Sequence, residues 1–205
     1  MCLYTTQEIP TIAEKDIICY KIIRKNMSSL YHDDFKWEFR KIYTSWIEAF
    51  ERRTNNDYTI HQAFHSYKTL KDLKRAYETV TVPCLAVKCT IPKGSRVYKG
   101  KHGSIEGYAS NQLIINKAMD VKELYPNFDW DNYPYKEGQV IQIKISDDGI
   151  WEDYQIMNIS LFNKSRVYLL VDNCRNSGFG FINTTFDKGT WVANKDIRLK
   201  ESKGE

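Results

Sequence analysis

The last third of the chain, residues 136–200, is a succession of short apolar segments separated by turn signals. Asp, Asn and Gly cluster between the segments, and these residues favour the backbone angles of tight turns. The pattern predicts five strands, at 139–145, 154–161, 166–172, 178–183 and 190–192. A segment with this number of short strands is expected to fold into a small barrel.

Two stretches of this segment, GIWEDYQI at 149–156 and GTWVANKDIRL at 189–199, resemble the two ends of a Tudor-type SH3-like barrel. The resemblance implies a binding module, in which a cage of aromatic rings attracts a cationic group by cation–π interaction. The candidate cage residues are Trp151, Tyr154, Tyr168, Phe179, Phe181 and Trp191. The alternative for each ring is core packing. Trp151 is the ring expected at the rim, because it follows the turn Asp147-Asp148-Gly149.

The first 125 residues are expected to form an α+β domain. Alternating apolar residues predict strands at 17–24 and 35–40, and Leu85, Val87 and Cys89 alternate in another. The clearest helix begins after Thr69, which can cap it, and its apolar face runs from Leu70 to Val80. The chain is therefore interpreted as an α+β domain at 1–125, an aromatic, acidic connector at 126–135 and the five-stranded SH3-like barrel at 136–200.

A basic hairpin gives the best nucleic-acid candidate. Net charge is +4, and the basic excess lies in the first 120 residues. Glycines between the cations would let backbone amides approach a phosphate. The residues concerned are Lys93, Arg96, Lys99, Lys101 and His102. The spacing is not that of a P-loop, and a solvated turn with surface lysines is the alternative.

An enzymatic site can also be assembled from the first domain. His65, the thiol of Cys2 and the carboxylate of Glu106 would supply a base, a nucleophile and an orienting group. Removal of Met1 would add the amine of Cys2 as a second possible base. His61 and His65 share one face of a strand, but no further metal ligands lie nearby in the sequence, so no metal site and no cofactor are predicted.

Several strings of the first 117 residues resemble a group of small uncharacterised proteins of Bacteroidetes bacteria and their phages. They are AFHSY at 63–67, VKCTIPKGS at 87–95, GYASN at 107–111 and DIICYK at 16–21. This resemblance implies an origin and a host or phage partner, and it implies no particular activity.

Composition places the protein among folded proteins of a reducing compartment. Hydrophobic residues make up 42% of the chain, no apolar run could span a bilayer, and the N-terminus lacks the layout of a secretory signal. The five cysteines form no CxxC pair, so free thiols in the cytoplasm are expected. The leading hypothesis is a non-enzymatic interaction protein that binds a protein, a peptide or nucleic acid without membrane contact. The alternative is a small hydrolase or transferase with a site around His65.

Overall fold

The structure, a computed structural model, describes residues 2–30, 34–51, 58–80, 82–145, 149–163, 166–174, 179–187 and 190–200. It divides into two compact units. Unit 1 comprises Met1–Thr79 and Cys84–Asp120, and unit 2 comprises Val80–Pro83 and Val121–Glu205. The described residues form seventeen strands and two short helices, α1 (Leu70–Tyr77) and α2 (Val121–Leu124).

The strands of unit 1 belong to a single antiparallel sheet. They are β1 (Leu3–Thr5), β2 (Thr11–Ile12), β3 (Ile17–Arg24), β4 (Ile42–Thr44), β5 (Ala49–Glu51), β6 (Tyr58–Ile60), β7 (Phe64–Tyr67), β8 (Cys84–Ile91), β9 (Arg96–His102), β10 (Ile105–Ser110) and β11 (Gln112–Ala118). Their order is β4-β11-β8-β3-β7-β10-β9-β1-β6-β5, and β2 pairs with β9.

The predicted α+β domain is wrong, because unit 1 is a β-sheet with one helix of two turns. Short apolar segments between the predicted elements pair with one another and extend the sheet. Thr69 does cap α1, accepting a hydrogen bond from the amide of Asp72 at 3.2 Å. The helix then packs on β3, β7 and β10. It ends at Tyr77, before the apolar pattern ends at Val80.

The main core of unit 1 covers one face of this sheet. Alternate residues of β3 and β8 point into it, which explains the strand period of two in this part of the sequence. Trp37, from the segment before β4, packs edge-on against Phe35 and Phe64 in this core. Its buried members are Ala13, Cys19, Ile23, Trp37, Phe64, Val87, Cys89, Ile91, Val97, Tyr108, Leu113 and Ile115.

Strands β3 and β7 separate soon after they meet. Their register joins them at Tyr20↔Tyr67 only, although β3 pairs with β8 along its whole length and β7 pairs with β10. Beyond this point the ladder is open on the side of Lys21 and His65. The opening places side chains of both strands around a cavity, which is described below.

Unit 2 contains the six remaining strands. They are β12 (Val140–Lys144), β13 (Trp151–Asn163), β14 (Arg166–Asn173), β15 (Phe179–Asp187), β16 (Thr190–Ala193) and β17 (Ile197–Leu199). The order β16-β15-β14-β13-β12-β17 corrects the predicted count of five, because Ile197–Leu199 returns to pair with the first strand. The core includes Tyr133, whose hydroxyl lies 2.9 Å from Thr184 Oγ1.

Neither α1 nor α2 has the length and apolar character needed to cross a bilayer.

Candidate functional site

A cavity of about 440 Å³ opens in unit 1 where β3 and β7 diverge. Aromatic rings and three histidines dominate its walls, and no Asp or Glu is among the described residues that line it. The lining residues are Lys21, Ile22, Ser29, Leu30, Phe35, Trp37, Thr44, Ser45, Trp46, His61, Gln62, Ala63, Phe64, His65, Ser66, Tyr67 and His102. Its size and apolar walls are typical of a small-molecule pocket.

A thiol and an imidazole meet beside this cavity. The register of β1 with β6 pairs Leu3 with Ile60, so Cys2 and His61 are adjacent at the ends of the two strands. Cys2 Sγ lies 3.2 Å from His61 Nδ1, which is within hydrogen-bond reach for sulfur. Cys2 is partly exposed, and His61 is exposed and lines the cavity.

Two further histidines hold the backbone of this pair. His102 Nδ1 lies 3.0 Å from the Cys2 carbonyl oxygen, and His65 Nε2 lies 3.4 Å from that of His61. Because a carbonyl only accepts, each of these ring nitrogens carries the proton. The other nitrogens, His65 Nδ1 and His102 Nε2, are buried without a partner among the described residues. The two rings are 5.3 Å apart between centroids.

Burial keeps both of these imidazoles neutral. Desolvation, followed by the charge of Lys21, lowers the pKa of His65 to about 3. Desolvation also lowers the pKa of His102 to about 4. The cationic form of either ring is therefore disfavoured at neutral pH, and both act as fixed hydrogen-bond donors to the backbone.

We expect these two histidines to make unit 1 sensitive to acid. Their pKa values lie below the ordinary value of 6.5, so the unfolded chain binds more protons and stability falls as pH drops from about 6.5 toward 4. Each imidazole contributes at most about 1.4 kcal/mol per pH unit to this slope. Urea denaturation between pH 7 and 4.5 measures it. The double variant His65→Asn, His102→Asn should flatten the dependence, and His61→Asn, at an exposed position, is the control. A slope unchanged in the double variant would contradict this assignment.

Lys21 crosses the opening between β3 and β7. Its Nζ donates a hydrogen bond of 2.6 Å to the His65 carbonyl oxygen. The same nitrogen lies 5.3 Å from the centroid of the Trp37 ring. Burial lowers the pKa of this lysine, and the thiols of Cys89 and Cys19 act in the opposite direction.

Cys19 and Cys89 face each other across β3 and β8, two register positions from Lys21 in the cavity wall. A hydrogen bond with Cys89 lowers the pKa of the Cys19 thiol, and burial raises that of Cys89. Both are fully buried, which distinguishes them from the accessible thiol of Cys2.

The predicted set of His65, Cys2 and Glu106 is brought together only in part. His65 and Cys2 belong to the same site, but the imidazole next to the thiol is that of His61. Glu106 points elsewhere, since its Oε2 forms a half-exposed ion pair with Lys68 at 2.6 Å. Sequence reasoning considered His61 only as a metal ligand. No group of three His, Cys, Asp or Glu side chains suited to a metal occurs in the part of the chain that the structure describes.

The basic hairpin consists of β9 and β10 with the turn that precedes them. Arg96, Lys99 and Lys101 are exposed along β9, and Lys93 is exposed in the preceding turn, where its amide donates to Asp16 Oδ1 at 2.8 Å. His102, in contrast, lines the cavity.

The predicted aromatic cage lies in unit 2. The Arg198 guanidinium lies 4.3 Å from the centroid of the Trp151 ring, so one face of this ring already meets a cation of the same chain. Tyr154 packs against the core of unit 2 and donates from its hydroxyl to Glu152 Oε2 at 3.3 Å. Tyr168 and Trp191 belong to β14 and β16. The side chains of Tyr168, Phe179, Phe181 and Trp191, together with Asp147 and Asp148, lie outside the described residues.

Comparison with known proteins adds no relative. No family model, no curated protein and no solved structure matches this chain significantly. The Tudor-type resemblance and the resemblance to Bacteroidetes and phage proteins therefore stay predictions.

Proposed function

We propose that unit 1 is a small thiol-dependent hydrolase or transferase, with Cys2 as the nucleophile and His61 as its general base. The observation that carries the proposal is the 3.2 Å approach of Cys2 Sγ to His61 Nδ1 beside a cavity of about 440 Å³. A nucleophile within hydrogen-bond reach of a base, with the base held by further groups, is the arrangement that covalent catalysis needs.

The chemistry follows from the positions of these two side chains. His61 Nδ1 takes the thiol proton, and the Cys2 sulfur attacks the carbonyl carbon of an acyl substrate. As the thioester forms, the bond to the leaving group breaks and that group takes the proton from His61. Water then gives a proton to His61 and attacks the thioester; the bond from carbon to sulfur breaks, the acid is released, and the Cys2 sulfur takes the proton back from His61. In a transferase another nucleophile replaces water.

The other two histidines act as positioning residues. His102 binds the backbone carbonyl of Cys2, and His65 approaches that of His61. Because burial keeps these rings neutral, they do not compete with His61 for the thiol proton, and they fix the relative placement of nucleophile and base.

The non-enzymatic hypothesis stays a prediction, and the geometry favours the cavity over its two candidate surfaces. The Trp151 ring meets Arg198 of the same chain on one face, and Arg96, Lys99 and Lys101 of the basic hairpin are exposed along β9, whereas the Cys2–His61 pair lies beside a cavity.

Brief exposure to p-nitrophenyl acetate tests the proposal. This activated ester should acetylate Cys2, with release of p-nitrophenolate and gain of one acetyl group that peptide mapping places on this residue. Rapid loss of the acetyl group on dilution would indicate hydrolysis. A protein that shows no acetylation, or acetylation of Cys174 alone, which is the exposed thiol of unit 2, would refute the proposal.

Trp46 should contribute to substrate binding without contributing to stability. It lines the cavity and is 83% exposed, so its apolar surface has little cover within the chain. We expect Trp46→Ala to raise KM by about three- to tenfold, because an aromatic contact contributes about 0.5–1.5 kcal/mol. The free energy of unfolding should change by less than about 0.5 kcal/mol. Steady-state kinetics and urea denaturation measure the two effects, and an unchanged KM would exclude Trp46 from the site.

A further inference from the structure

Lys21 is the one lysine or arginine among the described residues that line the cavity. An ammonium group has three N–H donors, and among the described residues Lys21 uses one of them, toward the His65 carbonyl oxygen. None of the described carboxylates pairs with it, and none lines the cavity. Burial lowers the pKa of Lys21, and the thiols of Cys19 and Cys89 offset this only in part, so an anion from outside would stabilise the cation.

The walls around this charge are flat and apolar. The Lys21 ammonium lies over the Trp37 ring, and Phe35 packs edge-on against that ring with 4.6 Å between centroids. Phe64 and Trp46 add two more aromatic rings to the lining, and Trp46 is the exposed one. Such walls suit a planar or aliphatic body, and the single cation suits one negative charge.

We propose that the cavity binds a small monocarboxylate, with its carboxylate on Lys21 Nζ and its apolar body against Trp37 and Trp46. A carboxylate accepts the two N–H groups that Lys21 has left and forms a charge-assisted hydrogen bond with them. A phosphate dianion would bring a second negative charge for which the described lining has no cation.

Lys21 and the thiol of Cys2 are linked through two histidines of the cavity wall. Lys21 Nζ donates a hydrogen bond to the His65 carbonyl oxygen, and His65 Nε2 lies within reach of the His61 carbonyl oxygen. His61 Nδ1 in turn lies beside Cys2 Sγ. A second step, in which the far end of the bound carboxylate carries the ester or amide group that Cys2 attacks, rests on the proposed function. The anion site itself does not.

Binding to the full chain carrying Cys2→Ser tests the anion site without any thiol reaction. The probes are 3-phenylpropionate, its neutral isostere 3-phenylpropionamide, and phenyl phosphate, each titrated by isothermal calorimetry. We expect the carboxylate to bind about tenfold or more tightly than the amide, which corresponds to about 1.4 kcal/mol. Lys21→Met should reduce this preference to less than about threefold. Lys99→Met, which removes an exposed lysine of β9, should leave it unchanged.

Equal binding of carboxylate and amide to the Cys2→Ser protein, or no binding of either, would overturn the inference without any need for the Lys21 variant. A preference that persists in Lys21→Met, or tighter binding of phenyl phosphate, would also overturn it. Failure of the proposed function is distinct, since it would appear as a carboxylate preference with no acetylation of Cys2.

Discussion

Replacing Cys2 by alanine is expected to abolish turnover of p-nitrophenyl acetate to the rate of a protein without the site. The substitution removes the sulfur that forms the thioester and leaves His61 with no nucleophile to deprotonate. His61→Asn keeps the thiol and removes the base, so it should slow the reaction by about 10²–10⁴-fold. Release of p-nitrophenolate, followed by absorbance, measures both variants.

The matched control is Cys174→Ala, which removes an exposed thiol of unit 2 and should retain full activity. Retention of more than about half of the activity in Cys2→Ala would show that another residue is the nucleophile. The buried pair of Cys19 and Cys89 would then be the next thiols to test.

Gly100→Ala should separate the nucleophile from its base. A Cβ on Gly100 would overlap the Tyr4 carbonyl oxygen and lie 3.0 Å from Leu3 Cγ, so β1 has to move away from β9. Among the described residues the ladder joins these strands at Tyr4↔Lys101, and Thr5 Oγ1 donates a hydrogen bond of 2.6 Å to the Lys99 carbonyl oxygen, so the shift strains both contacts. Because Cys2 directly precedes β1, we expect loss of most activity and destabilisation by about 1–3 kcal/mol.

Activity assays and urea denaturation of Gly100→Ala measure these effects. The control is Gly180→Ala, since a Cβ at Gly180 would meet Val171 Cγ2 at 3.7 Å, an ordinary contact. If Gly100→Ala were as stable and active as the unsubstituted protein, the close approach of β1 to β9 would not be needed for the site.

The sequence predicts those elements whose signal is local. Alternation identifies β3 and β8, and the Thr69 signal identifies the start of α1, because each depends on residues a few positions apart. The α+β assignment fails for the opposite reason. Segments of two to four residues, such as β1 and β6, carry too little periodicity to be recognised and become strands only by pairing with distant partners.

The site depends on such long-range pairing. Cys2 and His61 are 59 positions apart, and the register of β1 with β6 brings them together. No property of either neighbourhood specifies that register, so sequence reasoning chose His65 and Glu106 as partners of the thiol. The sequence does indicate that Lys21 is unusual, because a lysine in a strand with two largely apolar faces is rarely buried without a polar or charged partner.

The most direct test of the central claim is to find which cysteine reacts first with a limiting amount of iodoacetamide at neutral pH. The proposal predicts that Cys2 is alkylated at least about tenfold faster than the more exposed Cys174, and that His61→Asn removes this advantage, because His61 lies within hydrogen-bond reach and takes the thiol proton as the sulfur attacks. Preferential alkylation of Cys174, or a fast Cys2 that is unaffected by His61→Asn, would contradict the assignment of Cys2 and His61 as nucleophile and base.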